Sequence, residues 1–522
     1  MVSNIYEINF TDIYFDPQKK SKRILSCEDA IAEIGFGKVQ ILVLFAAFLI
    51  LANTLAETMG ISFVIPAAVC DLNLTTSDKG LLSGMTFLGV MSSSHLFGFL
   101  ADTKGRRVVV LWTLLGSTIS TFLSVFMKDF TIFLILRFFS GFCVAGYSAI
   151  MYAYLGEFSI NKYRASILSW VTTAVGFSST VMPLLAYWIM SYEWRIELYE
   201  GYQFRPWRLL ILLYSIFGIA GGILLLFLKE SPKYLLSVRK DEEALEVIKW
   251  IYRTNTGKSD DNDFNVHKLE SEASEIVMRN ETGMKAFLMS VYDQTWTLFK
   301  PPHAKYFLTC CCLHLGIFAV SGGIALFMPD ILNKLAIARK TLGYDNIHVC
   351  DIYDIPKEIF LNSNETLMEQ SVCIDNVDLN IYVQSVFVGI GYLIGFVVLS
   401  IIINPYNRTH ILVFNYTVAA ISGIVLTFLT SSSAIVACFT IFVFFTGVNV
   451  PVVNSAAVDI FPTFLRSMAI CCAMMFGRFG TTVSTNILGV VLEKSCSGTF
   501  YSFSGICVLC CIVAFVLPRP KK

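Results

Sequence analysis

The stretch Gly98-Phe-Leu-Ala-Asp102-Thr-Lys104-Gly105-Arg106-Arg107 joins two long apolar runs. Runs of that length cross a bilayer as helices, so the residues between them form a tight, basic turn at one membrane face. Gly98 has no side chain and is expected to let two helices approach closely. Asp102 is expected to accept hydrogen bonds from a neighbouring helix N-terminus or to pair with an arginine. Gly105 suits a turn that other residues resist. Lys104, Arg106 and Arg107 assign the turn to the cytoplasmic side, where basic loops are retained.

The rest of the chain agrees with a membrane setting. Of its 522 residues, 55% are hydrophobic and 15% charged, which is too apolar for a soluble protein and fits a polytopic one. The formal net charge is zero, so nothing global points to nucleic acid. Most of the cysteines lie inside apolar runs, as in Cys310-Cys311-Cys312, Cys471-Cys472 and Cys510-Cys511, where they act as small hydrophobes. The polar N-terminal tail carries Lys19, Lys20, Lys22 and Arg23. It shows no cleavable signal peptide, so the first span is expected to be the signal anchor.

Twelve candidate spans fall at roughly 39–69, 80–101, 108–127, 130–156, 166–191, 208–228, 305–328, 381–403, 410–430, 434–457, 467–492 and 499–517. The expected division is a cytoplasmic tail (1–38), a first six-helix half (39–228), a cytoplasmic linker with amphipathic helices (229–304), a second half (305–517) and a short cytoplasmic tail (518–522). Even-numbered loops carry most of the bases, which puts both termini in the cytoplasm. Within the linker, Ala244, Leu245, Ile248 and Ile251 share one helical face and predict a helix lying on the cytoplasmic surface.

The loop 329–380 falls on the other side. Between Asp330 and Asp378 it holds nine acids and four bases. It carries the sequon at Asn364 and two cysteines, Cys350 and Cys373. Such a loop suits an oxidising lumen. A Cys350–Cys373 disulfide is expected there, with two free thiols as the alternative. Asn73 begins a second outward sequon nearer the membrane.

The two halves repeat a charge pattern. The fourth span carries Arg137 and is closed by Glu157, and Arg164, seven residues on, opens the next; Asp459 closes the tenth span, and Arg466, seven residues on, opens the next. Two six-helix halves related by an axis along the membrane normal account for this. Glu157–Arg164 and Asp459–Arg466 bridges are expected to lock the cytoplasmic face, beside Gly98, Asp102, Gly105, Arg106, Arg107 and Arg137. At the turn after the eighth span only Arg408 survives of the basic pattern.

The Gly-x3-Asp-x2-Gly-Arg-Arg turn closely resembles the loop between helices two and three of the major facilitator superfamily. Trp207-Arg208 at the start of the sixth span and Glu230-Ser231-Pro232-Lys233-Tyr234-Leu235 after it look like the sugar-porter and organic-ion-transporter branches. With Tyr202-Gln-Phe, Tyr252-Arg-Thr-Asn255, Phe327-Met-Pro329-Asp330 and the long loop after the seventh span, the chain looks closest to synaptic vesicle glycoprotein 2-like proteins. The resemblance implies an all-α, twelve-helix major facilitator fold with pseudo-two-fold symmetry.

Ionisable residues inside a membrane line paths or contact one another. Glu57 matches the second acid of a family Asp-x-x-Glu pattern whose first position is Thr54 here. Arg478 matches a family cation in the eleventh span, as a partner for Glu57 or for an anionic substrate. His314 stands where the family resembles a tryptophan, on a span expected to line the cavity. Asn449 and Asn454 flank Val450-Pro451, and Asn454 replaces what resembles a family acid. Those five residues are the substrate-binding or coupling candidates. His95, Trp170, Tyr187 and Trp188 are secondary ones. No P-loop, metal-ligand spacing or nucleophile with its base is found, so no enzyme activity, metal or cofactor is expected.

The expected function is secondary transport of a small organic solute, a sugar or organic ion, by alternating access, with proton coupling as one option. The rival expectation is a non-transporting vesicle glycoprotein acting through its luminal loop and linker on protein partners in trafficking or exocytosis. Either way the chain belongs in a vesicle or plasma membrane.

Overall fold

A computed structural model describes residues 23–69, 71–160, 167–168, 170–192, 194–199, 202–257, 264, 266–270, 289, 292, 296–342, 347–354, 379–403, 407–461, 463–492 and 494–518. Eleven helical spans among them are long and apolar enough to cross a membrane. Thr463–Val491, a 29-residue helix, completes the set of twelve. Trp112, Phe387 and Ile401 are among many large apolar side chains left exposed around the bundle, as a lipid-facing surface requires.

The first half begins with strand β1 (Arg23–Leu25), helix α1 (Cys27–Ile34) and the first span, α2 (Lys38–Met59) continued by α3 (Ile61–Ala68). Span two is α4 (Thr76–Lys104), span three α5 (Arg106–Val125), span four α6 (Phe130–Glu157) and span five α7 (Thr173–Met190). Span six is split at Ser215 into α8 (Pro206–Tyr214) and α9 (Ile216–Leu226). The starts are encoded locally. Thr75 and Asp78 form a reciprocal capping box on α4, and Asp129 caps α6. Pro206 occupies the first turn of α8, where its missing N–H costs nothing.

After span six come α10 (Pro232–Ser237), the linker helix α11 (Asp241–Thr256) and strand β2 (Val266–Leu269). This part of the linker belongs to the first half. Strand β1 pairs in parallel with β2. The buried face of α11 (Ala244, Val247, Ile248, Ile251) joins one apolar cluster with Cys27, Ala30 and Ile31 of α1 and with Val39 and Val43 of α2. Asn255 accepts from the Val39 backbone N–H at 2.9 Å and donates to Gln40 at 2.9 Å. Lys233 pairs with Glu28.

The second half holds α12 (Ala304–Leu342), short α13 (Asp351–Asp354), α14 (Asn380–Ile402), α15 (Arg408–Val425), α16 (Ser432–Gly447), α17 (Asn449–Ile460), α18 (Thr463–Val491) and α19 (Cys496–Ala514). Cys350 is disulfide-bonded to Cys496 at the start of α19. This corrects the expected Cys350–Cys373 pairing. The nearest cysteine along the chain is not the partner, because packing of the last span brings its first residue to the loop. Cys373 and Asn364 lie outside the described residues. Asn73 is described, in a tight turn with φ +50°.

The halves meet along two seams, α7 with α14 and α4 with α18. At the first, a Cβ on Gly389 would lie 2.3 Å from the Ser179 carbonyl oxygen, so the backbones touch there and only glycine fits. On the face opposite the basic turn the halves are also clasped. Lys79 of α4 pairs with Asp330 of α12 at 2.9 Å, and Lys334 approaches the same carboxylate at 3.3 Å. Tyr382 donates to the Phe63 carbonyl, and Leu326 and Tyr382 are buried within the first half's own apolar cluster.

Candidate functional site: buried charges at the bundle centre

The basic turn is held by an acid that came from further along the chain. Glu230 accepts from the backbone N–H groups of Arg106 and Arg107, each at 3.1 Å, and so caps the N-terminus of α5. Gly105 sits at φ +107°, and a Cβ there would fall 2.5 Å from a Glu230 oxygen. Arg106 pairs with Glu157 at 3.2 Å and lies over the Tyr234 ring. Arg107 donates to the Leu225 and Leu226 carbonyls. Among the described residues a Cβ on Gly98 would meet nothing within 4 Å, so no described helix is closely packed against it. Arg164 lies outside the described residues, as do the side chains of Asp102, Asp459 and Arg466, and with them the expected bridges. No sequence pattern signals the Arg106 contact of Glu157 or the Glu230 cap, although Glu230 opens the Glu230-Ser231-Pro232 motif.

Arg137 is not at this turn. It enters α6 seven residues from Phe130, far from the basic face, and its guanidinium binds Glu57. Nη1 reaches the Glu57 carboxylate at 3.1 Å, and Nη2 donates to the Glu57 backbone carbonyl at 2.6 Å. Thr121 of α5, Ser140 of α6 and Ser215 between α8 and α9 donate hydroxyls to the same carboxylate at 2.9–3.2 Å. Both charged side chains are almost wholly buried. Hydroxyl donors and a cation from three other spans of one half hold a single acid. Beside it is a void of about 10 Å³ lined by Glu57, Gly60, Arg137, Ile211 and Tyr214, near the minimum for one water. The expected Glu57–Arg478 pair is thereby corrected: Glu57 finds its cation on α6, within its own half.

In the second half, His314 of α12 is fully buried. Its Nδ1 lies 2.9 Å from the Cys310 carbonyl and its Nε2 3.0 Å from the Asn454 side-chain amide of α17. The two candidates are thus one unit. Asn449 is used otherwise. Its side chain accepts from Asn415 at 2.8 Å and donates to the Phe445 carbonyl at 3.0 Å, which ties α15 to α16 and α17 and leaves it no reach into a cavity. His95 meets the Cys472 thiol at 3.3 Å across the α4–α18 seam.

Arg478, midway along α18, reaches across the seam into the first half. Its Nη1 lies 3.4 Å from the Ser94 hydroxyl of α4 and its Nη2 3.2 Å from the Ser148 hydroxyl of α6. The helix behind it is tight: a Cβ on the adjacent Gly477 would lie 3.2 Å from the His314 carbonyl oxygen.

The family model of the Major Facilitator Superfamily matches residues 43–343 and 366–522. The chain belongs to the major facilitator superfamily. Among curated relatives in this superfamily it is similar to synaptic vesicle glycoprotein 2B of Rattus norvegicus, 31% identical over 229 residues, which are 44% of this chain and 34% of that protein. Synaptic vesicle glycoprotein 2A of Rattus norvegicus is 27% identical over 326 residues, 59% of this chain and 44% of that one. The chain therefore matches less than half the length of these relatives. Among solved major facilitator structures, the partially occluded inward-open xylose transporter XylE from E. coli aligns with a TM-score of 0.62 at 13% identity, covering 93% of this chain and 100% of that one. The proton:xylose symporter XylE bound to 6-bromo-6-deoxy-D-glucose aligns at 0.58 and 14%, covering 92% and 97%.

Proposed function

We propose that this chain is a proton-coupled secondary transporter of a small organic solute, working by alternating access. The observation that carries the reading is the buried Glu57–Arg137 pair. A carboxylate held by a guanidinium and three hydroxyls from separate spans is a two-state element. Ionised, it draws α2, α5, α6 and the α8–α9 joint together. Protonated, it loses its charge-assisted bonds, and the four elements gain freedom to shift. Uptake of a proton at Glu57 would then change which face of the first half is open. The basic turn faces the cytoplasm in this reading, as do both termini, and the clasp at Lys79–Asp330 closes the other face. The alignment with inward-open XylE supports that assignment, and the proton-symporter description of XylE supports coupling.

A second reading is favoured by the relatives named for synaptic vesicles and by the reduced turn at Arg408: a vesicle-membrane protein that keeps the fold without transport and works through protein partners.

The test is uptake by proteoliposomes holding the purified chain, with labelled sugars, organic cations and organic anions, with and without an inward proton gradient. Wild type is expected to accumulate a solute faster under the gradient. Glu57→Gln is expected to exchange solute across the membrane but to accumulate none. Folded wild-type protein that moves no member of the panel, or a Glu57→Gln variant that accumulates as wild type does, overturns the reading.

A further inference from the structure

At the end of the second half opposite the basic turn we infer a binding site for an anionic phospholipid with an uncharged, hydroxyl-bearing head. Its phosphate lies against Arg339 and an acyl chain lies along α14. The site is separate from the buried charges at the bundle centre, and the inference holds whether or not the chain transports.

Helix α12 is 39 residues long. That is about 58 Å of helix, against a hydrocarbon core of about 30 Å. Its last turns therefore stand at the headgroup level, where α14 begins at Asn380 and α16 at Ser432. Helix α14 is committed to α7 across the seam, with Gly389 against the Ser179 carbonyl. Between its first turn, α12 and the start of α16 is a cleft of about 330 Å³, enough for a small ligand or a headgroup. Leu332 and Leu335 of α12 and Ile381 of α14 give it an apolar, buried floor.

The rim is polar and carries one sign of charge. Arg339 donates from Nη2 to the Thr430 carbonyl at 2.5 Å, with the Ile347 carbonyl at 3.5 Å, so its guanidinium is fixed at the edge of the cleft. Asn380, Gln384 and Ser432 complete the rim, and among the described lining residues there is no acid. A guanidinium matches the oxygens of a phosphate. Amides and a hydroxyl exchange hydrogen bonds with alcohols. A phosphodiester carrying a polyol satisfies both, whereas an ammonium head would meet a cation and no described acid. The apolar continuation of the floor favours a lipid over a free phosphate. Val383 lines the cleft, and Phe387, Ile390 and Ile394 follow it at helical spacing, all exposed. From Val383 to Ile394 the helix rises about 16 Å, roughly the depth of one leaflet's hydrocarbon. Basic pockets between spans that open onto such a face suit phospholipid heads.

The experiment is native mass spectrometry of the purified full-length protein, delipidated in detergent and given phosphatidylinositol, phosphatidylcholine, dioleoylglycerol or inositol phosphate at equal concentration. Wild type is expected to retain phosphatidylinositol roughly fivefold more than phosphatidylcholine, the scale of one charge-assisted contact, and to retain neither dioleoylglycerol nor inositol phosphate. Arg339→Gln is expected to abolish that preference. If Arg339→Gln does not fold, Ala336→Trp fills the cleft while leaving the Arg339 bonds in place, and is expected to lose the lipid as well. Arg195 is an exposed cation between spans five and six, so Arg195→Gln controls for general charge attraction and is expected to bind as wild type does. Equal retention of phosphatidylinositol and phosphatidylcholine by wild type overturns the assignment. So does a phosphatidylinositol preference that survives both cleft substitutions, or one that Arg195→Gln removes equally. Inositol phosphate held as firmly as phosphatidylinositol overturns the lipid and leaves a site for a soluble anion.

Discussion

Glu57 is almost wholly buried among a cation and three hydroxyls, so its partner cannot be removed harmlessly. Glu57→Ala would strand Arg137 in an apolar bundle. Breaking one side of a buried pair costs about 3–5 kcal/mol, whereas replacing both members by neutral groups often costs little. We therefore expect Glu57→Ala to lower thermal stability in detergent sharply, and Glu57→Gln/Arg137→Gln to lie closer to wild type than either Glu57→Ala or Arg137→Ala. Additive losses in the double variant would show that the two charges act independently. That Glu57 is a candidate for function was legible in the sequence, because an acid amid apolar residues stands out. Its partner was not. Arg137 and Arg478 are both arginines in apolar spans, and choosing between them needs the packing of α2 against α6, which no local pattern encodes. His314 and Asn454 were each singled out for their own chemistry, and their pairing required the same missing contact.

At the scale of elements, turn chemistry was the most readable part and long-range closure the least. The basic turn announced itself through Gly105 and the adjacent arginines, but the acid that caps it, Glu230, arrives 124 residues after Arg106. Cys350 likewise bonds across 146 residues to Cys496, past a nearer cysteine. The clasp between α4 and α12 shows what such distant contacts do. Lys79 and Asp330 are on different halves, so they must separate before the face opposite the basic turn can open. Lys79→Ala and Asp330→Ala are each expected to raise the population open on that face. Pulsed-EPR distances between labels on the outer ends of α4 and α12 would lengthen in both variants. Unchanged distances would mean that the α4–α18 seam, not the ion pair, sets the closure.

For the whole molecule, apolar run lengths and basic loops made the twelve-helix architecture readable, since a bilayer forces spans of set length and satisfied backbone. The charges inside it make a further statement. In the transport reading, the carrier crosses with one more positive charge when Glu57 holds a proton than when it does not. Uptake of an uncharged solute by wild type is therefore expected to follow a membrane potential clamped with potassium and valinomycin as well as the proton gradient. Uptake of such a solute that ignores voltage would refute proton binding at Glu57.

The parallel pairing of Arg23–Leu25 with Val266–Leu269 also sets a timetable. The chain's early strand waits for a mate that the ribosome makes more than 240 residues later, after all six spans of the first half. Nascent chains fold from the N-terminus as they emerge, but here the first half stays unsealed on its basic face until the linker has been synthesised. A translational pause before Leu269 would leave inserted helices without their tie, exposed to quality control at the point where their edges are least protected.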